Sequence, residues 1–291
     1  MEGNTLVDAQ KTSSKRFTIR LLFRVAIVIV VLTGAFTMLL PFLWMILTSL
    51  KTDQNVFTIP VTWLPEEFQW GNYLKAWEIA DFSRYIFNSL FVTTIIMIFS
   101  LLFNSMAGYA FAKYRFRARE PLFLLLLSTM MIPGQVTMIP VYLILEQLGF
   151  LDSYFGLIVP GLATAFGIFI MRQFMLSIPD DFIDAARIDG ASEARIFFQI
   201  ILPISKPAIS ALGIFTFVGA WNDFLFPLLV ISSDSMKTLP LAIASLAAGQ
   251  YVQSWPLLMA AATFITLPVI VVFFIGQRYF IEGIAMTGIK G

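Results

Sequence analysis

Six predominantly apolar stretches dominate the chain, at about 22–48, 86–112, 121–145, 154–175, 207–231 and 256–278. A bilayer core of about 30 Å is crossed by roughly 20 residues at helical rise, so each stretch is long enough to span. No other feature limits the fold as strongly. Backbone groups in hydrocarbon find no water, which leaves helices or closed barrels. Barrel strands would alternate polar and apolar residues over about ten positions, and these stretches do not. The expected class is therefore all-α: a polytopic membrane protein with six spans. Composition agrees, at 58% hydrophobic and 13% charged, where soluble domains carry about 25% charged residues.

Lys11, Lys15, Arg16 and Arg20 precede the first stretch and Arg24 stands at its start, as cations would in a signal peptide. Its apolar run is about twice a typical signal core, and no small-residue cleavage pattern ends it before Pro41-Phe42-Leu43-Trp44. It is expected to be a retained span, with 1–21 a cytoplasmic segment and 22–291 the transmembrane domain. Orientation follows from the cations. Four of the nineteen Lys and Arg residues (Lys51, Lys75, Arg84 and Lys237) fall on one side of the predicted topology, and the other fifteen on the N-terminal side. The positive-inside rule then puts both termini in the cytoplasm.

Several chemistries are excluded. Nineteen basic against eighteen acidic residues lack the basic excess of a nucleic-acid binder. Without Cys there is no disulfide or thiolate metal site, and without His no Ser-His-Asp or His-based zinc chemistry. No Gly-x4-Gly-Lys-Ser/Thr loop is present to hold a nucleotide. No catalytic residue, metal or cofactor is expected on this chain.

Polar and irregular positions mark places of interest. In the loop from about 49 to 85, Trp70, Tyr73 and Trp77 recur at helical spacing, as an interfacial aromatic belt or a sugar-stacking platform would; we prefer the belt. Pro133 and Pro140 fall inside the third stretch, near Ser128, Thr129, Gln135 and Thr137. Proline removes a backbone donor, and the broken backbone is either satisfied by neighbouring helices or lines a wet cavity. Thr129 and Gln135 are candidates for such a wall. The fifth stretch holds Trp221-Asn222-Asp223, the only acid deep in a span. It lies about 24 Å along from Pro207 at helical rise. A substrate path and an interfacial acid held by a local hydrogen bond both account for it.

Between the fourth and fifth stretches runs Ser177-Ile178-Pro179-Asp180-Asp181-Phe182-Ile183-Asp184-Ala185-Ala186-Arg187-Ile188-Asp189-Gly190. Ser177 as cap, Pro179 in the first turn and early acids favour a helix start, and Gly190 a stop. Ser192 then caps a second helix to about Leu202. Ala185 and Ala186 offer a flat side for close approach, Phe182 a knob, and Asp184, Arg187 and Asp189 charges at the rim. A lipid-surface helix would carry Lys and Arg on its polar face; this one is acidic, which favours docking in a protein groove.

Asp184-Ala185-Ala186, three residues, Gly190, nine residues, then Ile200-Ile201-Leu202-Pro203 resembles the Glu-Ala-Ala…Gly…Ile-x-Leu-Pro loop of binding-protein-dependent ABC importer permeases, with Asp184 where Glu is usual. Asn72-Tyr73, Asn88-Ser89, Tyr109-Ala110, Met131-Ile132-Pro133, Ile139-Pro140, Trp221-Asn222-Asp223, Thr238-Leu239-Pro240-Leu241 and the ending Gly288-Ile289-Lys290-Gly291 extend the likeness over nearly the whole chain. It is similar to the carbohydrate-uptake branch, in particular the smaller six-span partner of the maltose-type pair. The resemblance implies a type I permease fold in a bacterial or archaeal cell membrane. It also implies a second, different permease subunit, two cytoplasmic ATPase subunits that bind ATP and Mg, and an extracytoplasmic solute-binding protein. Phe182, Asp184, Ala185, Ala186, Arg187, Asp189 and Gly190 would form the coupling helix. Leu246, Gly249, Gln250 and Tyr251, within the loop 232–255, would reach the binding protein, and the C-terminal tail the ATPases. The expected cargo is a sugar, with a glycerol phosphate or polyol as the alternative. An ion-coupled secondary transporter would need ion sites built from broken helices, usually in two related halves, and no repeat is evident.

Overall fold

The computed structural model describes residues 2–79, 81–248 and 254–288, with side chains over 21–79, 81–248 and 254–276. Every regular element among the described residues is helical. The chain divides into two compact units, residues 1–72 with 254–260, and 73–253 with 261–291.

In the first unit α1 (Glu2–Ser49) is continuous through Pro41 and starts well before the expected span. Its side chains from Leu21 to Leu39 are exposed, as a lipid-facing helix requires. Its end is closed by a buried amide: Asn72 donates to the carbonyls of Ser49 and Lys51, each at 2.9 Å. Lys51 is buried with its ammonium bonded to the Thr62 carbonyl and over the Trp44 ring. The cation thus completes the turn rather than facing solvent. Trp44 in turn meets Trp63 edge-on at 5.4 Å.

The chain continues through α2 (Gly71–Ile79) into α3 (Phe82–Lys113), the organising helix of the second unit. Asp81 caps α3 by accepting the Arg84 N–H. One face of α3 is polar yet buried: Asn88, Ser89, Thr93, Ser100, Asn104 and Ser105 are all at most 2% exposed. Small polar residues let helices approach closely within a membrane and bond across the interface. Gly108 shows how close: a Cβ there would lie 2.6 Å from Met171 Cβ.

The third expected span is two helices, α4 (Arg119–Thr129) and α5 (Gly134–Gln147), bent by 101°. Pro133 disfavours helical backbone at Ile132, while α5 runs on through Pro140. The Thr129 carbonyl, four residues before Pro133 and so without its usual helical donor, accepts the Ile132 N–H at 3.2 Å.

The fourth stretch is also interrupted. After α6 (Tyr154–Ile158) and a 3-10 turn (Val159–Gly161) the helix resumes as α7 (Ala165–Leu176). Pro160 has no N–H for the Gly156 carbonyl. The restart is capped twice: Thr164 accepts the Gly167 N–H at 3.0 Å, and Asn104 of α3 accepts the Thr164 N–H at 3.0 Å.

A hairpin follows: α8 (Asp181–Ile188), α9 (Glu193–Ile196), a π-turn (Phe197–Ile201) and α10 (Leu202–Ile204). Then come α11 (Lys206–Trp221), α12 (Leu225–Val230), α13 (Leu239–Ala248) and α14 (Trp255–Gly288). The fifth stretch was expected to be helical over 207–231, but helix ends at Trp221. Pro227 cannot donate to the Asp223 carbonyl four residues back, and Asn222 and Asp223 compete for backbone partners. The expected loop 232–255 contains α13, whose Leu239, Leu241, Ala242 and Ile243 are buried.

Four helices are long and apolar enough to cross a membrane among the described residues. The expected six are reached when each bent pair (α4 with α5, and residues 193–204 with α11) counts as one crossing.

Candidate functional site

The hairpin is held to the span ends by an apolar base. Ile178, Ile183, Ala186, Ile196, Phe197 and Ile201 pack in one buried cluster with Tyr109 and Ala112 of α3, Met171 and Met175 of α7, and Ala208 and Leu212 of α11. Burying a side chain such as Ile contributes about 1.5–3 kcal/mol, so displacing the hairpin means displacing three helix ends with it.

Polar contacts fix its orientation. Lys113, the last residue of α3, donates to the Ile178 carbonyl at 2.5 Å and to Asp180 at 2.6 Å. The Lys113 hydrogen bond and charge hold the Asp180 carboxyl below its ordinary range. Tyr114 donates to Glu193 at 2.5 Å, and Arg187 Nε donates to Glu193 at 2.8 Å. Both halves of the hairpin are therefore tied to the end of α3.

Gly190 has φ +80 and makes the reversal between the two halves, as expected. Ser192 accepts the Arg195 N–H and caps α9, also as expected. Ser177 does not cap α8. Its hydroxyl turns back to the Phe174 carbonyl, and helix begins four residues later at Asp181. Of the seven expected contact residues, Phe182, Asp184, Ala185, Arg187, Asp189 and Gly190 are exposed, whereas Ala186 is buried in this chain's own core. The flat side expected from two alanines is thus divided, because positions one apart lie about 100° apart around a helix.

The expected path residues also separate. Trp221 is 1% exposed, stacked on Phe217 at 5.7 Å, and donates its indole N–H to the Ile265 carbonyl at 2.9 Å. It is core, not wall. Asn222 returns its amide to the Val218 carbonyl. Gln135 is exposed on α5 and lines no described cavity. Thr129, with its hydroxyl on the Leu126 carbonyl, edges a cavity of about 370 Å³ between α4 and α7. Asp223 alone of these lines the larger cavity, of about 450 Å³. Its carboxylate accepts the Phe226 N–H at 3.4 Å.

That larger cavity is built where two helices break, at Gly161–Thr164 and at the Asp223 turn. Thr164, Phe166, Phe215, Thr216, Gly219 and Phe226 line it with Asp223. Sequence reasoning missed all of these except Asp223. The signal present was Pro160-Gly161 inside an apolar stretch and Asn104 four residues after Ser100, which together mark a helix restart held by a buried amide.

At the far end of α3 from the hairpin, Asn88 donates to the Ser235 and Lys237 carbonyls at 3.0 and 2.9 Å. Ser89 accepts the Leu239 N–H at 2.7 Å, and Tyr154 donates to Asn88 at 2.7 Å. The segment entering α13 is thereby fixed. Leu246 is half-buried near the end of α13, while Gly249, Gln250 and Tyr251 lie outside the described residues, as do Ile289, Lys290 and Gly291. Tyr73 and Trp77 of α2 pack on Phe264 at 6.1 and 5.5 Å. Trp70 precedes that helix and stacks on Phe68 instead.

Comparison with known proteins agrees with this architecture. The chain is 35% identical over 260 residues to the arabinooligosaccharides transport system permease protein AraQ of Halalkalibacterium halodurans, covering 88% of this chain and 93% of that protein. It is 32% identical over 263 residues to the sn-glycerol-3-phosphate transport system permease protein UgpE of Pectobacterium atrosepticum, covering 88% and 94%. A crystal structure of a bacterial ABC transporter involved in the import of the acidic polysaccharide alginate superposes with TM-score 0.76 at 26% identity, covering 88% of this chain and 96% of the matched one. The sequence pattern of the binding-protein-dependent transport system inner membrane components matches residues 104–285, and the chain belongs to that family.

Proposed function

We propose that this chain is the permease subunit of an ATP-driven, solute-binding-protein-dependent importer of oligosaccharides. It forms half of the translocation path, beside a second and different permease subunit. Two cytoplasmic ATPase subunits bind the ATP and Mg, and a binding protein delivers the sugar from outside. The membrane holds six spans, the third formed by α4 with α5 and the fifth by α11, with both termini cytoplasmic as the distribution of Lys and Arg favours. The hairpin 177–206 is then cytoplasmic and seats in the ATPase, and the segment after α13 faces the binding protein.

The observation that carries this reading is the division of the hairpin into two faces. Its apolar base joins the ends of α3, α7 and α11, while Phe182, Asp184, Ala185, Arg187, Asp189 and Gly190 stand exposed on the other side. A force applied to that exposed rim is delivered to three spans together. An exposed apolar knob ringed by charge suits a groove in a protein partner. Sugar as cargo is supported by the arabino-oligosaccharide permease relatives. A glycerol phosphate is the second reading, supported by the somewhat less similar UgpE relatives.

The test is uptake by the complete complex in proteoliposomes with its binding protein. Arabinotriose uptake that requires internal ATP and survives collapse of ion gradients supports the proposal. Uptake of glycerol phosphate alone would favour the second reading, and uptake driven by an ion gradient would refute both.

A further inference from the structure

The cavity of about 450 Å³ falls within the range of small-molecule sites, roughly 300–1,000 Å³. Its position matters more than its size. Counting at helical rise, Thr164 lies about 18 Å from the hairpin end of α7, and Asp223 about 26 Å from the start of α11. In a core of about 30 Å, Thr164 lies near the middle and Asp223 toward the outer boundary. Two backbone breaks at that depth are tolerated only where buried or facing a wet cavity, and here both face the same one. Secondary transporters build solute sites from discontinuous helices, and the same backbone device borders this cavity.

The lining has the chemistry of a polyhydroxylated ring. Phe166 and Phe215 meet edge-on at 6.0 Å, and Phe226 adds a third aromatic surface. Between them stand three polar groups. Among the described residues the Asp223 carboxylate is engaged only by backbone N–H groups of the turn that follows it. Thr164 spends its oxygen as an acceptor for Gly167 and keeps its proton to donate. The Thr216 hydroxyl has no partner among the described residues. Apolar ring faces with a few convergent hydrogen-bonding groups are what a sugar presents a need for, and what an acyl chain does not. Phe166, Phe215, Thr164 and Gly219 are exposed on this chain, so the cavity opens outward, and one face of α11 forms its wall.

We infer that this cavity is a sugar-contacting subsite of the chain itself, holding one ring of the oligosaccharide between Asp223, Thr216, Thr164 and the phenylalanines. The inference rests on the importer reading above and adds a located site to it.

Gly219 supplies the sharpest probe. A Cβ at Gly219 meets nothing within 4 Å, so a side chain there starts into open space, and Gly219→Leu is the variant that fills the cavity. Gly34→Leu, equally unobstructed on α1, controls for added apolar bulk. In proteoliposomes with the complete complex, Gly219→Leu is expected to cut uptake of arabinotriose and arabinotetraose at least tenfold while still co-purifying with its partners. Thr216→Val, which keeps shape and loses a hydroxyl, is expected to raise the KM for uptake roughly tenfold, the worth of about one hydrogen bond. Gly34→Leu should match wild type. Uptake by Gly219→Leu and Thr216→Val equal to wild type would overturn the subsite and leave the importer reading standing. Loss of the partner permease from the Gly219→Leu complex would also overturn it, because a partner side chain would then be the occupant. A wild-type complex that takes up no sugar would overturn both.

Discussion

The ammonium of Lys113 lies 2.6 Å from Asp180 Oδ1, joining the last residue of the longest buried span to the first turn of the hairpin. Lys113 is nearly buried and Asp180 largely exposed. The lysine therefore belongs to the span and the aspartate to the lever. Asp180 is held ionised below its ordinary range by the Lys113 hydrogen bond and charge. A carboxyl with a depressed folded pKa contributes stability above the unfolded value, about 3.9, and loses it as pH falls through the lower folded one. The contact is thus complete throughout the neutral range. Transport by wild type and by Asp180→Asn should run parallel between about pH 6 and 8. A pH profile of Asp180→Asn that diverges from wild type there would show the pair titrating where this account says it does not.

Gly190 carries the reversal of the hairpin at φ +80. A Cβ at Gly190 has open space around it, so a substitution is penalised by backbone conformation alone, at about 1–2 kcal/mol for a β-branched residue. Gly190→Val should leave the protein in the membrane and reduce sugar transported per ATP hydrolysed, with Gly190→Asn close to wild type because Asn tolerates the left-handed region. Paired uptake and hydrolysis measurements check this; normal coupling in the valine variant would remove Gly190 from the mechanism.

Asp184 is exposed and, among the described residues, its ion pair is a 3.6 Å contact with Arg187. Reversing its charge should cost the isolated fold within about 0.5 kcal/mol. Asp184→Lys should nevertheless weaken co-purification of the ATPase subunit, with affinity falling about tenfold if the charge faces a partner. Thermal stability separates the two effects.

Asn104 donates to Ser100 at 2.7 Å and accepts the Thr164 N–H, so it fastens the restart of α7 to α3. Asn104→Leu keeps the branching and the number of side-chain heavy atoms and removes both bonds. It should destabilise the detergent-purified complex by about 1–2 kcal/mol, read as a lowered unfolding midpoint. An unchanged midpoint would mean that the break at Thr164 is held by packing alone.

The spans and the hairpin were legible because each rests on local rules. Apolar length locates α1, α3 and α14, and the stop at Gly190 and the cap at Ser192 are written within a few residues of where they act. The breaks were harder to read. Pro133, Pro140, Pro160 and Pro227 look alike in sequence, yet α5 passes through Pro140, while helices break at Pro133, around Pro160 and a few residues before Pro227. At the Pro160 break the Thr164 N–H is taken up by Asn104 of α3, sixty residues away, and a contact of that kind depends on packing. For the same reason Trp221 and Asp223, two residues apart, were read as one polar constellation. They point to opposite sides of the α11 end, one into the core and one into the cavity. Ala186 was misjudged likewise, since the hairpin's buried face is set by what α3, α7 and α11 present to it.

The chain contains no cysteine, so a single Phe182→Cys variant carries a unique thiol on the exposed rim of α8. Cross-linking from that thiol in the assembled complex tests the central claim most directly. This account predicts a covalent adduct with the ATPase subunit, and protection of the thiol from water-soluble reagents on assembly. A thiol equally reactive with and without the ATPase, and joined to no subunit, would contradict it.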